Sequence, residues 1–450
     1  MLVSWALGTN LSFSQVNPKL ESLLGQAQQY IDKADTLHDP DNRLLLYMDF
    51  NSPVIKNLYV INVLKNAVIE KVELVYTSYR LSETFSQPKL NRERLLNLNR
   101  LFPDLFKSDL IKWSFSAQTV GKNETEAKKL FHGFIITFRE RPSEATMKTE
   151  VSYLKDLINN DSLGKDTTLI LPVLHVKKKR VRTTYYVPNW AYKRHKGVLY
   201  DKPGIWGRKP YVITQYDTTV KMEKVERFFP STESWKYLAK IQDSTVFAVL
   251  NRNKSWKDMA FVCDVTGSMS PYSAQLIIWN KLNFHLQRGK YFTFFNDGDN
   301  LADEKKVTGK TGGIYHLEAS SVKQIENTAI TAMVKGWGGD IPENYMEALL
   351  ASVKRFPEAG SVVLVADNWS SIKDICLLYL LKVPVHVILC GVEDQINPDF
   401  IKLAIKTKGS IHTLQQDFTN LSALKEGQLF TLGNQTFQMK NGNIRLVSAL

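Results

Sequence analysis

A chain of 450 residues, 44% hydrophobic and 23% charged, is too long for one ordinary domain and has the composition of a globular protein. No stretch approaches 18 uninterrupted apolar residues, which excludes an internal membrane-spanning helix. The net charge of +13 is unevenly shared: residues 258–420 hold 15 Lys and Arg against 18 Asp and Glu, so the basic excess belongs to the N-terminal part. The three cysteines, Cys263, Cys376 and Cys390, are an odd number in apolar contexts. They are expected to be buried thiols, not disulfide partners or zinc ligands.

The chain opens with a weakly apolar stretch, residues 1–14, ending Ser12-Phe13-Ser14 before Gln15. That fits a small-x-small processing site without the positive opening of a signal peptide, so a truncated signal and a frayed terminus both stay open. Residues 17–34 have helical spacing, residues 44–48, 67–77 and 131–138 read as strands, and 144–157 returns to helix. Short strands are expected at 173–181 and 211–214. Residues 15–254 therefore form a basic accessory region, β-rich or α+β.

Within it, residues 177–209 concentrate charge, starting with Lys177-Lys178-Lys179-Arg180-Val181-Arg182 and interleaved with Tyr185, Tyr186, Trp190, Tyr192, Tyr200 and Trp206. Such a surface suits a polyanionic glycan or an anionic membrane face. No nucleic-acid motif accompanies it, and nucleic acid is the disfavoured partner. The plainer reading, a solvated basic rim with structural aromatics, is preferred over either.

From residue 244 the pattern changes. Residues 244–250 read as a strand leading into a new domain, followed by strands at 259–263, 290–295, 313–317, 361–366, 383–390 and 410–414. Helices alternate with them at 275–287, 322–335, 345–356, 372–381 and 398–406. Such alternation argues a mainly parallel sheet covered on both faces, with ligands bound outside the carboxyl ends of its strands. The tail, residues 421–450, reads as a β-meander with turns at Gly433-Asn434 and Asn441-Gly442, and it is expected to pack back on the accessory region.

Three of the strand ends carry chemistry. The apolar run before Asp264 ends in Asp264-Val265-Thr266-Gly267-Ser268, a carboxylate and two hydroxyls two residues apart. These are hard oxygen donors, suited to Mg2+ or Ca2+. A second loop, Gly336-Trp337-Gly338-Gly339-Asp340-Ile341-Pro342-Glu343-Asn344, precedes a helix. A third acid, Asp367, ends the run Val362-Val363-Leu364-Val365-Ala366.

Asp264-x-Thr266-x-Ser268 resembles the Asp-x-Ser/Thr-x-Ser motif of von Willebrand factor type A (VWA) domains, and the two later loops fall where that family places its other metal-binding loops. The resemblance, over residues 255–420, implies a doubly wound Rossmann-like α/β sheet with a metal-ion-dependent adhesion site. It implies Mg2+, with Ca2+ or Mn2+ as alternatives, held by Asp264, Thr266, Ser268, Asp340 and Asp367. It also implies a protein partner that completes the ion's shell with an oxygen, and leans toward a periplasmic or extracellular setting. The adhesion form carries a threonine in its second loop where this chain has Asp340. Three acids near one ion should grip it harder and attract an acidic ligand less.

Other readings of the same residues stay in view. Asp340 can instead bind through water or cap the helix beginning near Pro342, Thr266 and Ser268 can be helix caps, and Glu343 reads as a first-turn acid favoured by the helix dipole. The acid cluster Asn296-Asp297-Gly298-Asp299-Asn300 is a hairpin turn or an auxiliary cation site. An enzyme using the ion as Lewis acid is the alternative function, and a purely structural ion the third. No Ser/His/Asp grouping is evident, and Gly309-Lys310-Thr311-Gly312 lacks the glycine spacing of a phosphate loop.

Overall fold

The computed structural model describes residues 18–36, 42–80, 82–108, 110–141, 143–159, 164–188, 206–230, 243–286, 288–338, 342–369, 371–392 and 395–449. The chain divides into two compact units, one of residues 1–159, 241–278 and 288–450, the other of residues 160–240 and 279–287. In the larger unit, the N-terminal strands β1 (Gln29–Ile31), β2 (Arg43–Tyr47), β3 (Ala67–Thr77), β4 (Lys112–Gln118) and β5 (Gly133–Glu140) form a mixed sheet of order β1-β4-β3-β5-β2. Val72, Leu74, Phe134 and Ile136 from its strands pack with Leu95 and Leu98 of the helix Gln87–Leu101, all fully buried. That helix starts at Ser86, whose side chain accepts the Lys89 N–H, with Pro88 in its first turn.

The helix expected over 17–34 is shorter, Pro18–Leu24, and gives way to β1. The helix Gln87–Leu101, β4 and the helix Glu124–Lys129 are additional to the elements expected from sequence, and the region is α+β. Leu90, Leu95 and Leu98 follow helical spacing in the first of these, but nine polar residues, Gln87, Lys89, Asn91, Arg92, Glu93, Arg94, Asn97, Asn99 and Arg100, mask it.

The smaller unit contains β6 (Gly164–Pro188) and β7 (Trp206–Pro230), paired antiparallel from Gly164↔Pro230 to Pro188↔Trp206. They extend well past the short strands expected at 173–181 and 211–214. Charged and apolar positions share both strands without a clean alternation, so their full length carries no period-2 signal. The first half of the basic stretch, to Pro188, lies on β6, and residues 189–205 lie outside the described residues.

The remaining strands of the larger unit are β8 (Met259–Asp264), β9 (Gly289–Phe295), β10 (Ile314–Glu318), β11 (Val362–Asp367), β12 (Val385–Cys390), β13 (Ser410–His412) and β14 (Asp417–Phe418). They make a seven-stranded sheet of order β10-β9-β8-β11-β12-β13-β14, in which β9, β8, β11, β12 and β13 run parallel and the two edge strands antiparallel. Every residue of β11, and residues 260–264 of β8, are buried, as expected of strands covered on both faces. From β8 the order runs outward to β9 on one side and to β11 on the other. The carboxyl ends of β8 and β11 therefore meet at the point where the winding reverses, a preferred place for a ligand in sheets of this kind.

Two expected elements differ. Residues 244–250 are not a strand but the start of the helix Thr245–Arg252. Val246, Val249 and Leu250 are buried at helical spacing, and this outweighs the β-branched start of the segment. Residues 372–381 hold only the 3-10 segment Ile375–Leu380. On it Cys376 is exposed, contrary to the expectation that all three thiols are buried, while Cys263 and Cys390 are buried in β8 and β12.

The tail forms β15 (Leu429–Leu432), β16 (Gln435–Lys440) and β17 (Asn443–Ala449), an antiparallel meander. Asn441 and Gly442 both take positive φ, as a tight hairpin turn requires. The expectation that this meander packs on the N-terminal region is corrected. Leu432 and Phe437 are buried in the core of the seven-stranded sheet with Ile396, Phe400 and Ile401, and Lys406 Nζ donates to the Gly442 carbonyl at 2.8 Å. Apolar alternation in the meander marks a buried face but carries no information about which sheet buries it.

Candidate metal centre

The ends of β8 and β11 are built alike. Asp264 Oδ1 accepts the backbone N–H of Thr266 at 2.8 Å, and Asp367 Oδ1 accepts that of Trp369 at 2.8 Å, so each strand closes on its own carboxylate two residues back. From there a chain of oxygens joins the two strands. The Thr266 hydroxyl donates to Asp264 Oδ1 at 2.7 Å and lies 3.1 Å from Ser268 Oγ, whose hydroxyl donates to Asp367 Oδ2. On its other side, Asp264 Oδ2 accepts the Tyr345 hydroxyl at 2.8 Å.

Counting protons along that chain exposes a deficit. With both carboxylates ionised, the Thr266 hydrogen is spent on Asp264 and the Ser268 hydrogen on Asp367, leaving the 3.1 Å contact between the two hydroxyl oxygens with none. One more positive charge, a proton or a cation, would balance the group. Neighbouring ligands of an octahedral Mg2+ with bonds of 2.0–2.1 Å stand about 2.9 Å apart, so the spacing suits oxygens that share one hard ion.

The electrostatics agree. Burial first and the neighbouring Asp367 second push the Asp264 carboxyl up to about 7, against its bonds from Thr266 and Tyr345. Burial raises Asp367 as well, against Ser268, the Trp369 N–H and the charge of Arg139. Asp264, Thr266 and Asp367 are buried, and Ser268 alone of the four is partly exposed. It marks the side from which the group can be reached.

The second loop contributes a residue that was misread. Glu343, expected as a first-turn acid favoured by the helix dipole, precedes the helix Tyr345–Arg355, is 5% exposed, and its Oε2 has no hydrogen-bond partner among the described residues. Gly338, at φ +99°, passes between it and Thr266. A Cβ there would stand 3.4 Å from Glu343 Oε1 and 3.5 Å from Thr266 Cβ. Burial, then Asp264, Asp297 and Asp367, drive the Glu343 carboxyl well above the usual range, with Lys373 opposing. Asp340 lies outside the described residues. The other unforeseen member is Tyr345, whose buried phenol reads in sequence as an ordinary core aromatic.

The acid cluster after β9 is not a second cation site. Asp297 is fully buried and accepts from Lys306 Nζ at 2.7 Å and from Lys373 Nζ at 2.6 Å, while Asp299 accepts from Asn296 Nδ2 and the Tyr315 hydroxyl. A Ser/His/Asp grouping does exist, at the other side of the sheet. Ser410 Oγ lies 2.6 Å from both His412 Nε2 and His386 Nδ1, and His412 Nδ1 lies 2.7 Å from Asp417 Oδ1. The connectivity is that of a hydrolase triad. However, Ser410 is buried at 3% exposure at the start of β13, paired in register with His386, and Trp256 packs on both rings. The arrangement is a buried polar ladder tying β12, β13 and β14 together.

Among the described residues no group of three or more His, Cys, Asp and Glu side chains is arranged to hold an ion. The group at the strand ends is of another composition, two carboxylates with two hydroxyls. Comparison of the chain with protein-family models, with curated proteins and with solved structures finds no match.

Proposed function

We propose that the strand-end group binds a divalent cation, Mg2+ with Ca2+ or Mn2+ as alternatives, and that the domain is a VWA-like module engaging a protein partner through that ion. Asp264, Thr266, Ser268 and Asp367 would hold it, with Asp340 supplied by the neighbouring loop. The observation that carries the reading is the proton deficit at the Thr266–Ser268 contact between two carboxylates. The motif order and the reversal of winding between β8 and β11 support it. A bound ion would supply neutralisation of the two carboxylates and a coordination position for a partner's oxygen on the Ser268 side.

The chain's own residues do the rest. Tyr345 and the Thr266 N–H fix the Asp264 carboxylate so that it need not reorganise on binding, and Trp369 does the same for Asp367. Burial and the neighbouring acids favour the neutral form of the Glu343 carboxyl, so the charge that would hold a cation comes from Asp264 and Asp367.

Calorimetric titration of Mg2+, Mn2+ and Ca2+ into the protein and into Asp264→Ala tests the site. Saturable binding of at least one ion, lost in the variant, is expected, and equal heats from both proteins would sink the reading. For the partner, capture that disappears in chelator while the far-ultraviolet spectrum is unchanged supports an adhesion role. Capture that persists in chelator would make the ion structural.

A further inference from the structure

The basic charge of the chain is concentrated in the smaller unit. Residues 160–240 and 279–287 hold 18 Lys and Arg against 7 Asp and Glu, so they carry +11 of the chain's +13. Even with each of those acids paired inside the unit, eleven cations are left over.

The ribbon of β6 and β7 is a sheet of two strands, each of 25 residues and about 80 Å long at ~3.3 Å per residue. Successive positions of a strand alternate between faces, and residues in register across an antiparallel pair share one. Ile170 stands in register with Lys224, Pro172 with Met222 and Leu174 with Val220, so these positions belong to one face. On it Ile170 is 63% exposed, Val220 64% and Met222 64%. The same alternation, followed toward Pro188, puts Lys178, Arg180 and Arg182 at the next β6 positions of that face after Val176. From Ile170 to Pro188 neither strand places an acid on it. Asp217 and Glu223, the two acids of this stretch, fall on the opposite face, in register with Lys177 and Leu171. One face thus runs from exposed apolar positions to basic ones, with the acids behind it.

An occupant has to answer both parts of that face. A second copy would bring a further +11 against the first. A soluble polyanion, whether glycan or nucleic acid, meets the cations but leaves Ile170, Val220 and Met222 in water, and these side chains offer no ring on which a base could stack. An anionic bilayer answers both, because apolar side chains enter the boundary between headgroups and acyl chains while Lys and Arg meet the headgroup charge. We propose that this face of the ribbon docks on an anionic lipid bilayer. Docking is a property of the smaller unit alone and does not depend on the cation reading.

Co-sedimentation of the full chain with vesicles of phosphatidylcholine and phosphatidylserine in a two-to-one ratio tests this, with chelator present throughout. Vesicles of phosphatidylcholine alone, heparin and oligo-thymidylate serve as comparisons. Binding to the anionic vesicles should be at least about tenfold tighter than to neutral ones and should weaken as salt rises. Lys178→Gln, Arg180→Gln and Arg182→Gln combined should weaken it about a hundredfold. Val220→Ser with Met222→Ser should weaken it about tenfold while leaving any binding of heparin unchanged. An unchanged far-ultraviolet spectrum shows that both variants are folded. The proposal fails if the anionic vesicles are not bound, if neutral vesicles are bound as tightly, or if the Val220→Ser, Met222→Ser protein binds them like the parent. Capture by heparin or oligo-thymidylate without vesicle binding would assign the ribbon to a soluble polyanion and overturn it.

Discussion

Two sets of buried acids stand at the same end of the seven-stranded sheet and are neutralised in opposite ways. After β9, Asp297 is fully buried and held by the ammonium groups of Lys306 and Lys373. At the ends of β8 and β11, Asp264 and Asp367 receive hydroxyls and backbone N–H groups, and among the described residues no ammonium or guanidinium hydrogen-bonds to either. Burial raises Asp297 to about 6, with both lysines pulling the other way, so it is ionised at neutral pH. Burial raises Asp264 to about 7 and the neighbouring Asp367 adds to the rise, opposed only by hydrogen bonds from Thr266 and Tyr345. In sequence the loop after β9 is as acidic as the other, so acid content does not separate them. What separates them is whether the chain brings its own cation.

The largest expected effect comes from breaking the self-neutralised set. Asp297→Asn leaves two lysines facing a neutral amide, one of them, Lys306, at 3% side-chain exposure with Asp303 2.8 Å from its Nζ. Losing one partner of a buried ion pair should cost about 3 kcal/mol of stability. Chemical denaturation followed by tryptophan fluorescence reads this. Cation binding at the other set should survive, and its loss would mean that the two act as one network.

Asp264→Asn should show the converse. In the parent, an ion at 100 times its dissociation constant should add about 2.7 kcal/mol, and in the variant nothing. Without the ion the sign reverses. A carboxyl raised to about 7 costs stability fully above pH 7, and the cost fades as pH falls toward its unfolded value near 4. The cation-free variant should therefore unfold later than the parent at pH 8 and at the same point at pH 4. Thermal shift with and without Mg2+ at both values measures all four quantities, and a parent insensitive to Mg2+ at pH 8 contradicts the comparison.

A smaller effect is expected from orientation alone. Tyr345→Phe removes the hydrogen bond to Asp264 Oδ2 and keeps the ring that packs against Phe295 and Phe400. Cation affinity should fall about tenfold with little loss of stability. A Tyr345→Phe protein with parental affinity would show that Thr266 alone fixes the carboxylate.

Much of this contrast was legible in the chain. The run Ala260-Phe261-Val262-Cys263 before Asp264 has no polar residue, which requires a strand covered on both faces, and the hydroxyls at every second position after it can converge only at that strand's end. Asp367 repeats the logic. The pairing of Asp297 with Lys373 was not legible, because the partners are 76 residues apart and joined only by the crossover between β9 and β11. Glu343 was hidden for a different reason. An acid after Ile341-Pro342 has the local chemistry of a helix start, and only the approach of Gly338 and Thr266 reveals that its carboxyl is enclosed. The Ser410–His412–Asp417 ladder needed the register of β12, β13 and β14, which apolar spacing does not supply.

A buried acid whose raised carboxyl is due to burial alone provides the control. Glu150, on the helix Glu144–Asn159, is 6% exposed, its Oε1 has no hydrogen-bond partner among the described residues, and burial pushes it up to about 8. Its cost is complete above pH 8 and disappears as pH falls to its unfolded value near 4.5. Glu150→Gln should thus stabilise the protein at pH 8.5 by about 1 kcal/mol, the buried amide retaining part of the penalty, and do nothing at pH 4.5. It should leave the response to Mg2+ unchanged. If instead Glu150→Gln weakens cation binding as Asp264→Asn does, the effect of the latter would reflect the general balance of buried charge, and the pairing of carboxylates with hydroxyls at the ends of β8 and β11 would lose its special standing.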